Sequence, residues 1–249
     1  MWLPPDRQHD CPPARRFRRI CVVTVLGAAA LIASSLACDS RADDKSAPPA
    51  PPPKDAVVLF DGKDLSKWQK YPGGGDVTWK LVDGAMEVAG GDVITKDKFR
   101  DMKLHLEFMP PYMPKETGQA RGNSGVFVMD NYEVQVLDSY GLPKLEVGDC
   151  AALYSMKVPD KNAARPPAQW QTYDIEFKAP RFDASGKKTG NARITVYWNG
   201  VKVHDNVELE GPLPGGLGEK PEGGGIRLQD HGNPVRFRNI WVVTSEKKD

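Results

Sequence analysis

Cysteine is nearly absent from the body of this chain. Of four cysteines in 249 residues, Cys11, Cys21 and Cys38 fall in the first forty positions, and Cys150 stands alone beyond them. No intrachain disulfide can staple the mature domain, so its core must hold it. A solitary thiol with no activating partner in the sequence reads as a small buried hydrophobe, not a nucleophile. An excess of charge of either sign is also lacking. Lys+Arg number 34 against 33 Asp+Glu, a net charge of +1, which argues against nucleic acid as a partner. Long runs with apolar residues at the helical period are missing. So are a Walker or dinucleotide fingerprint, a Gly-x-Ser-x-Gly elbow and a His- or Cys-rich metal-ligand spacing.

What is present begins with a leader. Arg15, Arg16, Arg18 and Arg19 precede an uncharged run from Ile20 to Ala37, the layout of a secretory signal peptide. Its end, "SSLAC", resembles the lipobox of bacterial lipoproteins, with Ser35 where Leu is usual. That resemblance implies a leader over 1–38 and lipidation at Cys38. The protein would then be exported across the inner membrane and held by an N-terminal lipid anchor, in the periplasm or at the cell surface. A cleaved soluble export signal or an uncleaved anchor shares the layout, although a spanning helix needs roughly 20 apolar residues. Residues 39–55, "DSRADDKSAPPAPPPKD", carry almost no large apolar side chain and read as a disordered, Pro-rich tether. The folded domain is expected over 56–245.

Gly (24) and Pro (22) are plentiful, and they punctuate short alternating runs such as "KLHLEFMP", "SGVFVM", "YEVQVLD", "TYDIEFKAP" and "VRFRNIWVV". Many strands at short spacing predict an all-β sandwich or barrel. Asn199-Gly200 and Asp83-Gly84 are the expected tight hairpin turns. "VVLFDG" and "RNIWVVT" are both apolar, which predicts neighbouring terminal strands. Two long loops, 110–123 and 139–169, are functional candidates by length.

Strand alternation sorts the polar residues. Glu133 and Gln135 share one face of "YEVQVLD", opposite Val134 and Val136. Arg227, Gln229 and His231 share one face of "GIRLQDHG", opposite Ile226 and Leu228. These two rows are either a ligand-binding face or solvated strand faces. Trp170, at the end of the second loop, is a candidate to stack on a sugar ring. Asn123 sits in the turn "GNSG". Glu133, Asp138 and Asp230 are the oxygen ligands available to a divalent cation, which is possible but not required, and they form no contiguous calcium loop.

The segments "LFDGKDLSKWQ", "GNSGVFV", "YEVQVLDS", "AALYSMKVP", "QWQTYDIEF", "VYWNGVKVHDN" and "GGIRLQDHGNPVRFRNIWV", in that order, resemble the bacterial 3-keto-disaccharide hydrolase family. The resemblance implies a concanavalin-like jelly roll of two antiparallel sheets. It also implies a carbohydrate substrate, a glycoside already oxidised at carbon 3. A ketone there acidifies the carbon-2 proton; a base removes it, and the enolate expels the group on carbon 1. Glu133 or His231 are the candidate bases. Arg227, Gln135 or a cation are candidates to stabilise the enolate, and Tyr154 or His231 to protonate the leaving oxygen. Gln229, Trp170 and Asn123 complete the expected substrate contacts. A non-catalytic carbohydrate-binding module on the same fold is the alternative reading, since fold alone does not settle function.

Overall fold

The computed structural model describes residues 50–244. The leader, Cys38 and residues 39–49 of the tether lie outside the described residues. In chain order the strands are β1 (Val57–Phe60), β2 (Trp68–Lys70), β3 (Lys80–Val82), β4 (Ala85–Glu87) and β5 (Val93–Thr95). There follow β6 (Met102–Met109), β7 (Ser124–Val128), β8 (Tyr132–Val136), β9 (Gln171–Lys178) and β10 (Arg181–Phe182). The last five are β11 (Lys188–Gly190), β12 (Ala192–Trp198), β13 (Val201–Leu209), β14 (Arg227–Leu228) and β15 (Arg236–Thr244). One 3-10 turn, Gly118–Ala120, is the sole helical element among the described residues, and no helix there is long and apolar enough to cross a membrane.

The strands make a jelly-roll sandwich of two antiparallel sheets. The larger runs β13-β12-β9-β6-β15-β4-β3, with β1 sharing β15's second edge with β4. The smaller runs β2-β5-β14-β7-β8. β10 and β11 form a separate ribbon. The expected terminal pairing is present: Val57 lies opposite Val242. Both hairpin turns are present as well, with positive φ at Asp83, Gly84, Asn199 and Gly200, as a two-residue turn with matched twist requires. The strands the sequence did not reveal, β2, β5, β10 and β11, have three residues or fewer, too short for alternation to show.

Alternation places the core. In β9, Gln171, Tyr173, Ile175 and Phe177 are buried, and in β12 so are Ala192, Ile194, Val196 and Trp198. The apolar members of both sets meet Tyr132, Val134 and Val136 of β8 in one cluster. Tyr132 packs on Phe177 with ring centroids 5.3 Å apart. The Tyr173 hydroxyl crosses between sheets to donate to the Gln135 carbonyl at 2.6 Å. Cys150 lies beside that hydroxyl, 3.2 Å away, and burial pushes its thiol up to about 12. It is the inert core residue its sequence context implied.

β7 and β8 break the alternating rule: every residue in both is buried. One face is core; the other is roofed by loops. The chain after β8 turns back and bonds to that strand's free edge, Ala151 N–H donating to Gln135 O and Tyr154 N–H to Glu133 O. Covering an edge in this way removes a site of intermolecular pairing. Leu153 anchors the returning segment and is fully buried. Leu153→Ala should lower stability by about 2–5 kcal/mol in urea unfolding followed by tryptophan fluorescence.

Candidate functional site

The roofed face of the smaller sheet carries a cross-strand row. Arg227 is in register with Phe127, and Phe127 with Glu133. The second row places Gly125 opposite Gln135, and Gln229 follows, its N–H donating to Gly125 O. Together they floor a cavity of ≈ 210 Å³, closed by Tyr154 from one loop and Pro214 and Gly215 from another, with His231 on its rim. Thus Glu133, Gln135, Arg227, Gln229, Tyr154 and His231 all meet in one cavity.

Hydrogen bonding divides these residues into two kinds. Arg227 is fixed. Its Nε donates to Asp130 at 2.6 Å, Nη1 to Asp92 at 2.9 Å and Nη2 to Gly215 O at 2.7 Å. Its guanidinium also lies 3.5 Å over the Phe127 ring. Gln135 is fixed as well: its Nε2 donates to Gln119 and to Gly148 O, and its Oε1 accepts from Val136 N–H. The two residues expected to hold an enolate are therefore occupied in shaping the wall. Glu133, Tyr154, Gln229 and His231 differ. Their side chains make no hydrogen bond among the described residues, although all four line the cavity.

Glu133 is the most unusual of these. It is 3 % exposed, and its carboxyl has no hydrogen-bond partner among the described residues. A buried carboxyl without partners resists ionising. Burial is the main cause that raises its pKa to about 8; Arg227 opposes the rise and Asp92 adds to it. Its space exists because residue 125 is glycine: a Cβ there would collide with Glu133 Oε1.

The other expected residues are placed elsewhere. Asn123 is buried behind the wall, its Nδ2 donating to Gln119 O and Oε1, so it positions Gln119 and does not line the cavity. Trp170 is on the other sheet. Its ring carries the Arg238 guanidinium at 4.0 Å, and Arg238 in turn bonds Glu107. Gln171, the next residue, opens β9 of the larger sheet, and this connection carries Trp170 away from the cavity. Asp138 pairs with Arg121, and Asp230 accepts from Gly91 and Gly232 N–H, so neither shares a site with Glu133. Among the described residues no group of three or more His, Cys, Asp or Glu is arranged to hold a metal ion. Sequence reasoning missed Gln119, Gly125, Asp92 and Asp130. Gly125 had a detectable signal, a glycine inside the strand pattern "SGVFV"; the others sit in loops and turns without periodicity.

The model of the 3-keto-alpha-glucoside-1,2-lyase-like domain matches residues 55–243. A 3-keto-disaccharide hydrolase of Bacteroides thetaiotaomicron is 26 % identical over 234 residues, covering 75 % of this chain and 77 % of its own. The crystal structure of a candidate glycosyl hydrolase from Parabacteroides distasonis is 37 % identical, with TM-score 0.71, over 81 % of this chain and 94 % of that one. A second Parabacteroides distasonis structure, 19 % identical with TM-score 0.55 over 77 % of this chain and 94 % of its own, shares the fold.

The buried carboxyl has a measurable cost. Glutamate ordinarily titrates near 4.5, and Glu133 does so near 8, so the native state keeps a proton that the unfolded chain has released. The contribution to stability is full below about 4.5 and is lost as pH rises through 8. Glu133→Gln should match the parent at pH 4 and be more stable by about 5 kcal/mol at pH 9, as read by chemical denaturation at both pH values.

Proposed function

Because the chain belongs to the 3-keto-alpha-glucoside-1,2-lyase-like family, we propose that it cleaves 3-keto-glycosides, with Glu133 as the base that removes the carbon-2 proton. The observation that carries this reading is the buried, unpaired Glu133 carboxyl facing a sugar-sized cavity. A desolvated carboxylate with a pKa near the working pH is well suited to proton abstraction, and the absence of hydrogen bonds leaves both oxygens free to take a proton. The usual glycosidase arrangement of two acids across the scissile bond is not required, because the ketone supplies the acidity.

The reaction runs in balanced steps. Glu133 takes the proton from carbon 2, and the electron pair moves to the carbon-3 oxygen as an enolate. The enolate collapses, the carbon 1–oxygen bond breaks, and the leaving oxygen takes a proton. The products are an alcohol and a 1,2-unsaturated 3-keto sugar. Water then adds, hydroxyl to carbon 1 and proton to carbon 2, to complete a net hydrolysis. Gln229 and Tyr154, whose polar groups are free among the described residues, are the donors for the enolate oxygen. His231, exposed on the rim, is placed to protonate the departing group. The ≈ 210 Å³ cavity is smaller than the roughly 300–1,000 Å³ of ligand sites that enclose larger molecules. It suits one pyranose ring, with the leaving sugar toward the rim. Arg227 holds the Phe127 wall and moderates the charge that forms on Glu133. The basic, apolar leader and the cysteine at its end support export and lipid anchoring.

The full chain mixed with a 3-keto glycoside should release aglycone. With a nitrophenyl 3-keto glycoside, whose departure needs no acid, kcat/KM should rise with pH through about 8 and stay level above it, following ionisation of Glu133. A fall above that pH with this substrate would assign Glu133 to the acid role and the base to His231. Glu133→Gln should lower kcat about 10²–10⁴-fold. His231→Ala should slow alkyl glycosides much more than nitrophenyl glycosides, whose leaving oxygen needs no proton. Binding of sugars with no turnover of any keto-glycoside would instead establish a non-catalytic binding module.

A further inference from the structure

A second cleft, of ≈ 350 Å³, lies at the end of the sandwich, where β8 runs out and the loops before β7 and β9 meet. Its floor is Arg121 and Asp138; its sides are Tyr112, Tyr140 and the pair Pro166-Pro167. The two tyrosines are 69 % and 51 % exposed. They bury little against this chain, and their hydroxyls have no partner among the described residues. Large aromatics left open in a rigid setting point to a ligand more often than to stability.

The floor is built, not incidental. Asp138 is 6 % exposed. Its Oδ2 lies 3.2 Å from Arg121 Nε, its carbonyl accepts from Arg121 Nη2 at 2.9 Å, and its Oδ1 accepts from Tyr140 N–H at 3.2 Å. The ion pair therefore also orients the segment that carries Tyr140. Arg121 Nη1 has no partner among the described residues. The walls are tied to the fold: Ala168 N–H donates to Pro110 O at 2.8 Å, and Asn162 Nδ2 donates to Ser139 O at 3.0 Å. Such a site needs little ordering when a ligand arrives.

We propose that this cleft is a second carbohydrate-binding site, in which a pyranose ring lies against Tyr112 or Tyr140 and its vicinal hydroxyls meet the Arg121–Asp138 pair. The chemistry selects this occupant. A sugar hydroxyl both donates and accepts, so adjacent hydroxyls match a guanidinium and a carboxylate held side by side. The C–H face of the ring suits tyrosine. A proline-rich peptide, the other ligand that aromatic and proline walls attract, has few donors because its prolines lack an N–H, and it matches the carboxylate less well. The 3-10 turn divides this cleft from the first cavity: Gln119 faces the first and Arg121 the second. The site does not depend on the chemistry proposed for Glu133.

The test uses the full chain carrying Glu133→Gln, so that no turnover intervenes, labelled with ¹⁵N. Unoxidised maltose, cellobiose, sucrose and trehalose are titrated while the Arg121 side-chain N–H resonance is followed. At least one sugar should shift that resonance saturably. Tyr112→Ala with Tyr140→Ala should weaken its binding about tenfold or more, with an unchanged circular dichroism spectrum and, in the otherwise native chain, unchanged kcat/KM on a small 3-keto glycoside. Tyr140→Phe, which keeps the ring, should retain binding. No shift at millimolar sugar, equal binding by the double variant, or saturation by a Pro-x-x-Pro peptide in place of sugars would each overturn the proposal. Loss of keto-glycoside activity alone would bear on Glu133 and not on this cleft.

Discussion

One buried guanidinium joins most of what surrounds the cavity. Arg227, 4 % exposed, reaches Asp92 before β5, Asp130 in the turn between β7 and β8, and the carbonyl of Gly215 in the loop that roofs them. Four segments distant in sequence are thereby held at one point. Two carboxylates and a carbonyl satisfy the cation, and the Phe127 ring at 3.5 Å covers its face. Removing one partner of such a buried group typically costs about 3–5 kcal/mol, because the remaining charges are left uncompensated. The loop that closes the cavity is therefore coupled to the integrity of the smaller sheet. Asn131 reinforces it, accepting from Gly218 N–H and from Leu213 N–H.

The same arrangement explains why Glu133 behaves as it does. Arg227 is near enough to lower the carboxyl's pKa, yet its donors point at Asp92 and Asp130, so burial prevails. Had the guanidinium been directed at Glu133, a quiet ion pair would have resulted. The site divides into groups that are held and groups that are free, and only the free ones can exchange protons with a ligand. Held and free side chains thus stand in the same two rows.

The long segment after β8 has three structural tasks. It covers the free edge of β8 through Ala151–Tyr154, it brings Tyr154 to the cavity, and it supplies Tyr140 and Pro166-Pro167 to the second cleft. His204 fastens it from the larger sheet, its Nε2–H donating to Ala151 O at 2.8 Å. Burial lowers the pKa of this imidazole, so the neutral form is the one that holds the loop. Length marked this segment as functional in the sequence. Its path across two sheets was not visible, since backbone bonds to a strand edge leave no side-chain pattern.

Strand alternation and turn residues in the sequence were enough to specify the all-β class, the two hairpins, the meeting of the terminal strands and the pairing of Val134 and Val136 with the core. They also placed Glu133 with Gln135, and Arg227 with Gln229 and His231, on common faces, because period-2 geometry is local. The family resemblance added the sandwich and the chemistry. Tertiary structure alone decided which of those polar residues are free. Whether Arg227 meets a substrate or two aspartates depends on Asp92 and Asp130, which lie more than ninety positions away and carry no periodic signal. Whether Trp170 faces a sugar depends on which sheet its loop enters. Whether Glu133 is solvated depends on two loops folding over it and on a glycine beside it. Desolvation and partner choice are properties of three-dimensional neighbours, and the order of residues along a strand does not encode them.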